Sequence, residues 1–186
     1  PLVGAQSGVI SESDLSTFKP RLIGPAVTGG RIHNLAVLPG NPSVIFVASA
    51  SGGLWKTTNR GHTWRNTFAN QTVSTFGDVA IAPSNTDIVY AGTGEQNNRQ
   101  STSWGNGVYR SDDAGETWQH LGLTQTRHIG KVIVNPINPE IVYVAALGNL
   151  WQPTEERGVF RSLDGGQSWE KTLFVDSYTG AVDLAI

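Results

Sequence analysis

One repeated block limits what this chain can fold into. Three twelve-residue stretches align without gaps: GLWKTTNRGHTW from Gly53, GVYRSDDAGETW from Gly107 and GVFRSLDGGQSW from Gly158. They end on Trp64, Trp118 and Trp169. The spacing of roughly 50 residues is the period of one supersecondary unit in a repeat architecture. Upstream of each copy, two apolar runs flank a Pro/Asn turn: NLAVLPGNPSVIFVASA from Asn34, DVAIAPSNTDIVYAGTG from Asp78 and KVIVNPINPEIVYVAAL from Lys131. The chain reaches the start of that second block a fourth time in DLAI, Asp183 to Ile186.

Within a unit the secondary structure follows from residue type. Val, Ile, Leu, Tyr and Phe fill short runs bounded by Pro, Asn and Gly, and no stretch holds a 3.6-residue apolar period, so strands are predicted throughout and helix almost nowhere. The third unit illustrates the expected four strands: Val132 to Val134, Ile141 to Ala145, Val159 to Arg161, and a fourth starting at Trp169. Four-stranded units repeated at this period predict the blades of a β-propeller, and the strict repetition argues against a β-sandwich.

The fold class is therefore all-β, a partial propeller of about three four-stranded blades plus the first strand of a fourth. Blades are expected at about 31–70, 76–123 and 129–175, with a fourth beginning near 180–186. A propeller closes with about four to eight blades, so this stretch reads as the N-terminal part of a larger ring, its partner being the remaining blades of the same polypeptide. Phe18 to Gly30 is expected to supply an outer strand, and 1–17 to form a tail.

Composition removes several function classes. The chain of 186 residues carries 13 basic and 15 acidic side chains, a net charge of -2, and has no basic cluster. Nucleic-acid binding has no electrostatic basis in that balance. Cysteine is absent, which excludes disulfides, thiolate metal sites and cysteine nucleophiles. No apolar run approaches the ~20 residues of a membrane span. No cofactor motif and no metal-ligand spacing occurs, so neither is expected. Methionine is also absent, so Pro1 is expected to follow a processing event or the edge of a fragment. Val3-Gly4-Ala5 before Gln6 suits an A-x-A-like cleavage context, and a secreted, periplasmic or cell-surface location is expected.

The acids of the repeated block look at first like chemistry. Ser111, Asp113, Gly115 and Trp118 recur as Ser162, Asp164, Gly166 and Trp169, with Thr57, Asn59, Gly61 and Trp64 in the first copy. Such residues close a hairpin: Asp and Asn accept backbone N–H groups, Gly takes positive φ, and the hydroxyl ties across the turn. The tryptophan then buries an apolar face between blades, about 2 to 3 kcal/mol. A calcium loop is the sharper alternative, but the alternating oxygens and distal glutamate of an EF-hand are missing.

This S-x-D-x-G-x-x-W pattern resembles the Asp-box, or BNR repeat, of sialidases, sortilin-type receptors, xyloglucanase-like glycoside hydrolases and photosystem assembly factors. The stretch GGRIHNLAVLPGNPSVIFVASASGGLWKTTNRGHTW is similar to the N-terminal blades of large exported bacterial sortilin-like or glycosyl-hydrolase-like proteins. The resemblance implies that the boxes lie on the edge opposite the ligand face. Function is then sought in the loops joining second to third strands and in those entering each innermost strand.

In the second unit that loop is TGEQNNRQSTSWGNG, where Glu95, Asn97, Asn98, Arg99 and Trp104 offer a carboxylate, amides, a cation and a stacking ring. In the third it is LGNLWQPTEERG, with Trp151 beside Glu155, Glu156 and Arg157. An aromatic ring among carboxylates and amides suits carbohydrate; a ring packed on the adjacent blade is the alternative. His128 is a candidate acid or base. Arg31, His33, Asp78, Lys131 and Asp183 are expected around the channel mouth, binding a ligand or neutralising one another.

Xyloglucanase-like enzymes, as the resemblance implies, carry an aspartate in a TD-x-GG context after the second strand of the first blade. Here the matching stretch is ASASGGLW, without an acid. The sequence therefore favours a recognition or scaffold domain for glycan, peptide or protein. A glycoside hydrolase, xyloglucanase-like or sialidase-like, is the alternative.

Overall fold

A computed structural model describes residues 31–186; the expected tail at 1–17 and the expected outer strand at Phe18 to Gly30 lie outside them. Twelve strands form three antiparallel meanders. The first contains β1 (Ile32–Val37), β2 (Ile45–Ser49), β3 (Leu54–Thr57) and β4 (Arg65–Asn66). The second contains β5 (Phe76–Ile81), β6 (Val89–Thr93), β7 (Val108–Ser111) and β8 (Gln119–His120). The third contains β9 (Ile129–Val134), β10 (Val142–Ala146), β11 (Gly158–Ser162) and β12 (Glu170–Leu173). The helical content of the described residues is one 3-10 turn, Thr124–Thr126. The fold is all-β, and these sheets are propeller blades.

Face-to-face stacking explains the apolar runs. β6 is buried along its whole length because the first sheet covers one face and the third the other. Val89, Ala91 and Tyr109 pack against Phe46, Ala48 and Leu54, while Tyr90 and Val108 pack against Val132, Val142 and Phe160. A strand covered on both sides cannot alternate polar and apolar residues. Among the described residues β1 has one such neighbour, and Ile32, Leu35 and Val37 stay at least half exposed.

Inner strands approach so closely that side chains are excluded. A Cβ on Gly77 in β5 would lie 1.7 Å from the Ile129 carbonyl oxygen of β9. The fourth-unit residues extend this row without pairing as a strand. Ala181 donates its N–H to the Ala146 carbonyl, which brings Val182 and Asp183 beside Gly130 and Lys131.

The repeated hairpin has one geometry in three copies. Ser111 Oγ donates to Asp113 Oδ1 at 2.7 Å and accepts the Gly115 N–H at 2.7 Å. Asp113 then accepts the N–H of Glu116 and of Thr117, at 3.0 and 2.8 Å, and the Thr117 hydroxyl at 2.6 Å. Ser162, Asp164, Gly166 and Ser168 repeat this network. In the first copy Thr57, Asn59 and Gly61 reproduce it with a neutral amide. Gly115 has φ +87°, and a Cβ there would lie 2.6 Å from the Phe46 ring of the preceding blade.

The fourth strands begin one residue after each tryptophan, not on it as expected, because the indole belongs to the turn that seats the hairpin. Trp118 packs 5.2 Å from the Phe68 ring, and Trp169 donates its Nε1–H to the Leu121 carbonyl at 2.8 Å, both across a blade boundary. Trp64 departs from the expected burial and is 42% exposed, having no preceding sheet among the described residues to pack on.

Burial raises the Asp113 carboxyl, but the hydrogen bonds from Thr117, Ser111 and Glu116 outweigh it and hold it at about 2. Those from Ser168 and Ser162 likewise hold Asp164 at about 2. A carboxylate depressed below its unfolded value of 3.8 contributes stability that is present above that value and is lost as pH falls through about 2. Melting temperature is therefore expected to drop between about pH 4 and 2, less steeply in Asp113→Asn/Asp164→Asn. Ser111→Ala leaves the buried Gly115 N–H unpartnered and should cost about 1–3 kcal/mol by urea denaturation.

Candidate functional site

In each meander the box hairpins join third to fourth strands, so the loops joining second to third strands project from the opposite edge. That edge carries the start of every inner strand and two depressions. It is the axial face.

The first depression, about 300 Å³, sits at the channel mouth and is lined by His33, Asn34, Asp78, Asn97, Lys131 and Asp183, among others. Asp78 is 1% exposed. Its carboxylate accepts the Asn34 side-chain N–H of the preceding inner strand and, at 2.8 Å, the Val132 backbone N–H of the following one. Lys131 Nζ lies 3.4 Å away. Burial pushes the Asp78 carboxyl up from its ordinary value, opposed by the Val132 hydrogen bond, the Lys131 charge and the Asn34 hydrogen bond. Asp78 thus ties three inner strands together, whereas Asp183 remains exposed at the rim.

Glu95 and His128 require a correction. Both were expected on the ligand-facing surface, and both lie inside. Glu95 is 1% exposed, ion-paired with Arg31, and accepts the Ser103 N–H at 3.2 Å. His128 is fully buried, its Nδ1 bonded to the Glu95 carbonyl at 2.9 Å. The polar loop folds back over Glu95 near its start, so the carboxylate pins the loop base instead of meeting ligand. Arg31 is committed to this anchor through its ion pair with Glu95.

The other loop candidates separate. Asn97 reaches His33 at 3.3 Å beside the channel mouth. Arg99 is exposed, its backbone N–H bonded to Thr102. Trp104 is 53% exposed, with the Arg127 guanidinium 3.9 Å from its ring centre. Arg127 itself has φ +57°, and its carbonyl accepts the Gly105 N–H at 2.7 Å, locking the end of the loop.

Asn98 joins a second depression of about 280 Å³ with Leu150, Trp151, Gln152, Pro153, Arg157 and Tyr178. Trp151 is 54% exposed and Tyr178 75% exposed, so two aromatic rings stand in solvent beside two amides. Arg157 is buried and donates to the Asn149 and Gln152 carbonyls, holding the Trp151 loop in shape. Tyr178 was not anticipated. It lies in the connection after β12, outside either repeated block, where no sequence signal marks it. Among the described residues no cluster of three or more His, Cys, Asp or Glu is placed to hold a metal ion, and no helix is long and apolar enough to cross a membrane.

The BNR/Asp-box repeat model matches residues 109–120 and 160–171, the second and third box hairpins. Xyloglucanase Xgh74A of Acetivibrio thermocellus is 35% identical over 75 residues, 36% of this chain and 9% of that protein. A xyloglucanase of a Paenibacillus species is 25% identical over 172 residues, 74% of this chain and 16% of that protein. The crystal structure of an ancestral GH74 enzyme superposes with a TM-score of 0.64 at 24% identity, over 81% of this chain and 19% of that one. The chain spans less than a fifth of each of these relatives. Three stacked meanders, each closed by the same hairpin, make this an Asp-box β-propeller. Over part of its length it is similar to xyloglucanases.

Burial of His128, with the positive charges of Arg127 and Arg157 beside it, lowers its pKa to about 4. A histidine held neutral in the fold contributes stability that is full above its unfolded value near 6.5 and is lost as pH falls toward about 4. His128 should stay neutral at pH 5 by NMR, and melting temperature should fall from pH 6.5 to 4.5, more weakly in His128→Gln.

Proposed function

We propose that this propeller is an exported recognition domain that holds polysaccharide on its axial loop face. The observation that carries the reading is the depression between the second and third blades, where Trp151 and Tyr178 present exposed rings beside Asn98 and Gln152. Sugar C–H faces stack on aromatic rings, and side-chain amides both donate to and accept from hydroxyls. An open depression whose lining holds no acid, and whose one cation, Arg157, is buried against backbone carbonyls, suits an uncharged chain laid across the surface. The partial relationship to xyloglucanases makes xyloglucan the first ligand to test. A polymeric glycan is met outside the membrane, which is why the domain is read as exported.

Hydrolysis would need two carboxyl groups about 5 to 9.5 Å apart across the scissile bond. On this face Glu95 and Asp78 are buried and committed to structural partners, Ala50 to Gly53 after β2 carry no acid, and the exposed acids Asp183 and Glu155 are not among the residues lining the Trp151 depression. The described residues therefore support binding better than catalysis.

In affinity electrophoresis the chain is expected to be retarded by xyloglucan. Trp151→Ala should weaken retention about tenfold, the loss of one stacking face, while melting stays unchanged and Trp151→Phe retains most of the binding. Absence of retardation in xyloglucan and in other β-glucans defeats the reading. Release of reducing ends replaces it with hydrolysis.

A further inference from the structure

The segment that enters the third inner strand is strained where its counterpart in the second blade is not. His128 donates its N–H to the Thr126 carbonyl, which makes Arg127 the centre of a γ-turn with φ +57° and ψ −41°. This positive-φ form of the turn is rare, because a side chain disfavours it. Ser74 holds the equivalent place in the second blade, as far ahead of Gly77 as Arg127 is of Gly130. The Ser74 carbonyl accepts the Gly53 N–H at 2.9 Å, as the Arg127 carbonyl accepts that of Gly105 at 2.7 Å. Ser74 does this without a positive φ. The repeat therefore requires the hydrogen bond, but neither the strain nor the arginine.

From this turn the Arg127 guanidinium lies over Trp104, 3.9 Å from the ring centre. Both residues are fixed through their backbones, Arg127 by the Gly105 N–H and Trp104 by the Thr75 hydroxyl, which donates to its carbonyl at 2.9 Å. Trp104 is still 53% exposed, so ring surface is open beside the guanidinium. Stacking occupies the flat face of a guanidinium and leaves its fork of in-plane N–H donors pointing outward.

Among the described residues no acid takes up that fork. The ion pairs are made by Arg31, Lys56, Arg65, Arg110, Lys131 and Arg161. The local field is positive as well: besides burial, the charges of Arg127 and Arg157 keep the adjoining His128 neutral.

We infer that Trp104 and Arg127 form a binding station for a carboxylate-bearing sugar, a uronic acid residue of an acidic glycan. An exposed aromatic ring takes the C–H face of a pyranose, and a guanidinium fork takes a planar carboxylate through two parallel hydrogen bonds. A uronic acid carries both features on one rigid ring. An acidic peptide offers its carboxylate on a flexible stem, and free sulfate or phosphate offers no apolar face. Neither Trp104 nor Arg127 lines the depression beside Trp151, so this station stands apart from the xyloglucan reading.

Titration of a galacturonic acid trisaccharide into the ¹⁵N-labelled chain, followed at the Trp104 indole N–H, tests it. That signal, assigned by its loss in Trp104→Phe, should move saturably. The methyl-esterified trisaccharide, the same sugar without its charge, should bind about tenfold more weakly or worse. Arg127→Gln should weaken binding of the acid by a similar factor, and Arg127→Lys, which keeps the charge without the fork, should recover part of it. Arg127→Gly relieves the positive φ and should melt no lower than the parent chain, yet bind as weakly as Arg127→Gln. Trp151→Ala should bind the acid unchanged, which separates this station from the neighbouring depression.

Equal binding of ester and acid overturns the inference, and that comparison needs no variant to fold. So does the absence of a saturable shift with galacturonate, glucuronate and mannuronate trisaccharides alike. Tetraglutamate that matches the trisaccharide assigns the site to peptide carboxylates, and inorganic sulfate that displaces the trisaccharide at equal concentration reduces it to an anion site; either result overturns it too. Folded Arg127 variants that bind the acid unchanged leave the arginine as a support of the loop and end the proposal.

Discussion

A four-stranded sheet of this size cannot bury both faces alone, so each blade depends on how the next one is seated upon it. The seating contact is the box hairpin. Its serine and aspartate hold a tight turn, its glycine brings backbone against the neighbouring sheet, and its tryptophan covers the neighbour's outer edge. Because Gly115 meets Phe46 and Trp118 meets Phe68, hairpin closure and blade packing are one event. Loss of the turn would therefore expose core on two blades.

Rigidity at the box edge is what frees the opposite edge. There the inner strands are cross-tied by Asp78, and the base of the long second-blade loop is pinned by Arg31, Glu95 and the buried His128. These groups consume most of the charge that sequence reading had assigned to ligand. What remains outward combines the rings of Trp104, Trp151 and Tyr178 and the amides of Asn97 and Asn98 with a few charges, Arg99, Glu155 and Asp183, away from the Trp151 depression. Around that depression the surface recognises shape and apolar faces more than charge.

Legibility differed sharply between the two edges. The box was readable residue by residue because its hydrogen bonds are local, spanning Ser111 to Thr117, and the first copy could change to Thr57 and Asn59 without changing the bond pattern. The axial face was readable only as a list of loops. Glu95 looked like a free carboxylate in a polar segment, yet its partner Arg31 lies in a different blade, at a separation no local pattern reports. Tyr178 belongs to no repeated block and carried no signal.

By itself the sequence determined the unit, its number of copies, the strand order within each copy and the chemistry of the turn that closes it. These rest on short-range periodicity and on contacts within a few residues. Only the tertiary structure decided which polar groups face water, which aromatic rings are covered, and that Asn98 of one blade meets Trp151 and Tyr178 beyond it. Such outcomes depend on the stacking of one blade on another. The sequence names every participant, but the partner and the depth of burial arise only when the sheets close on each other.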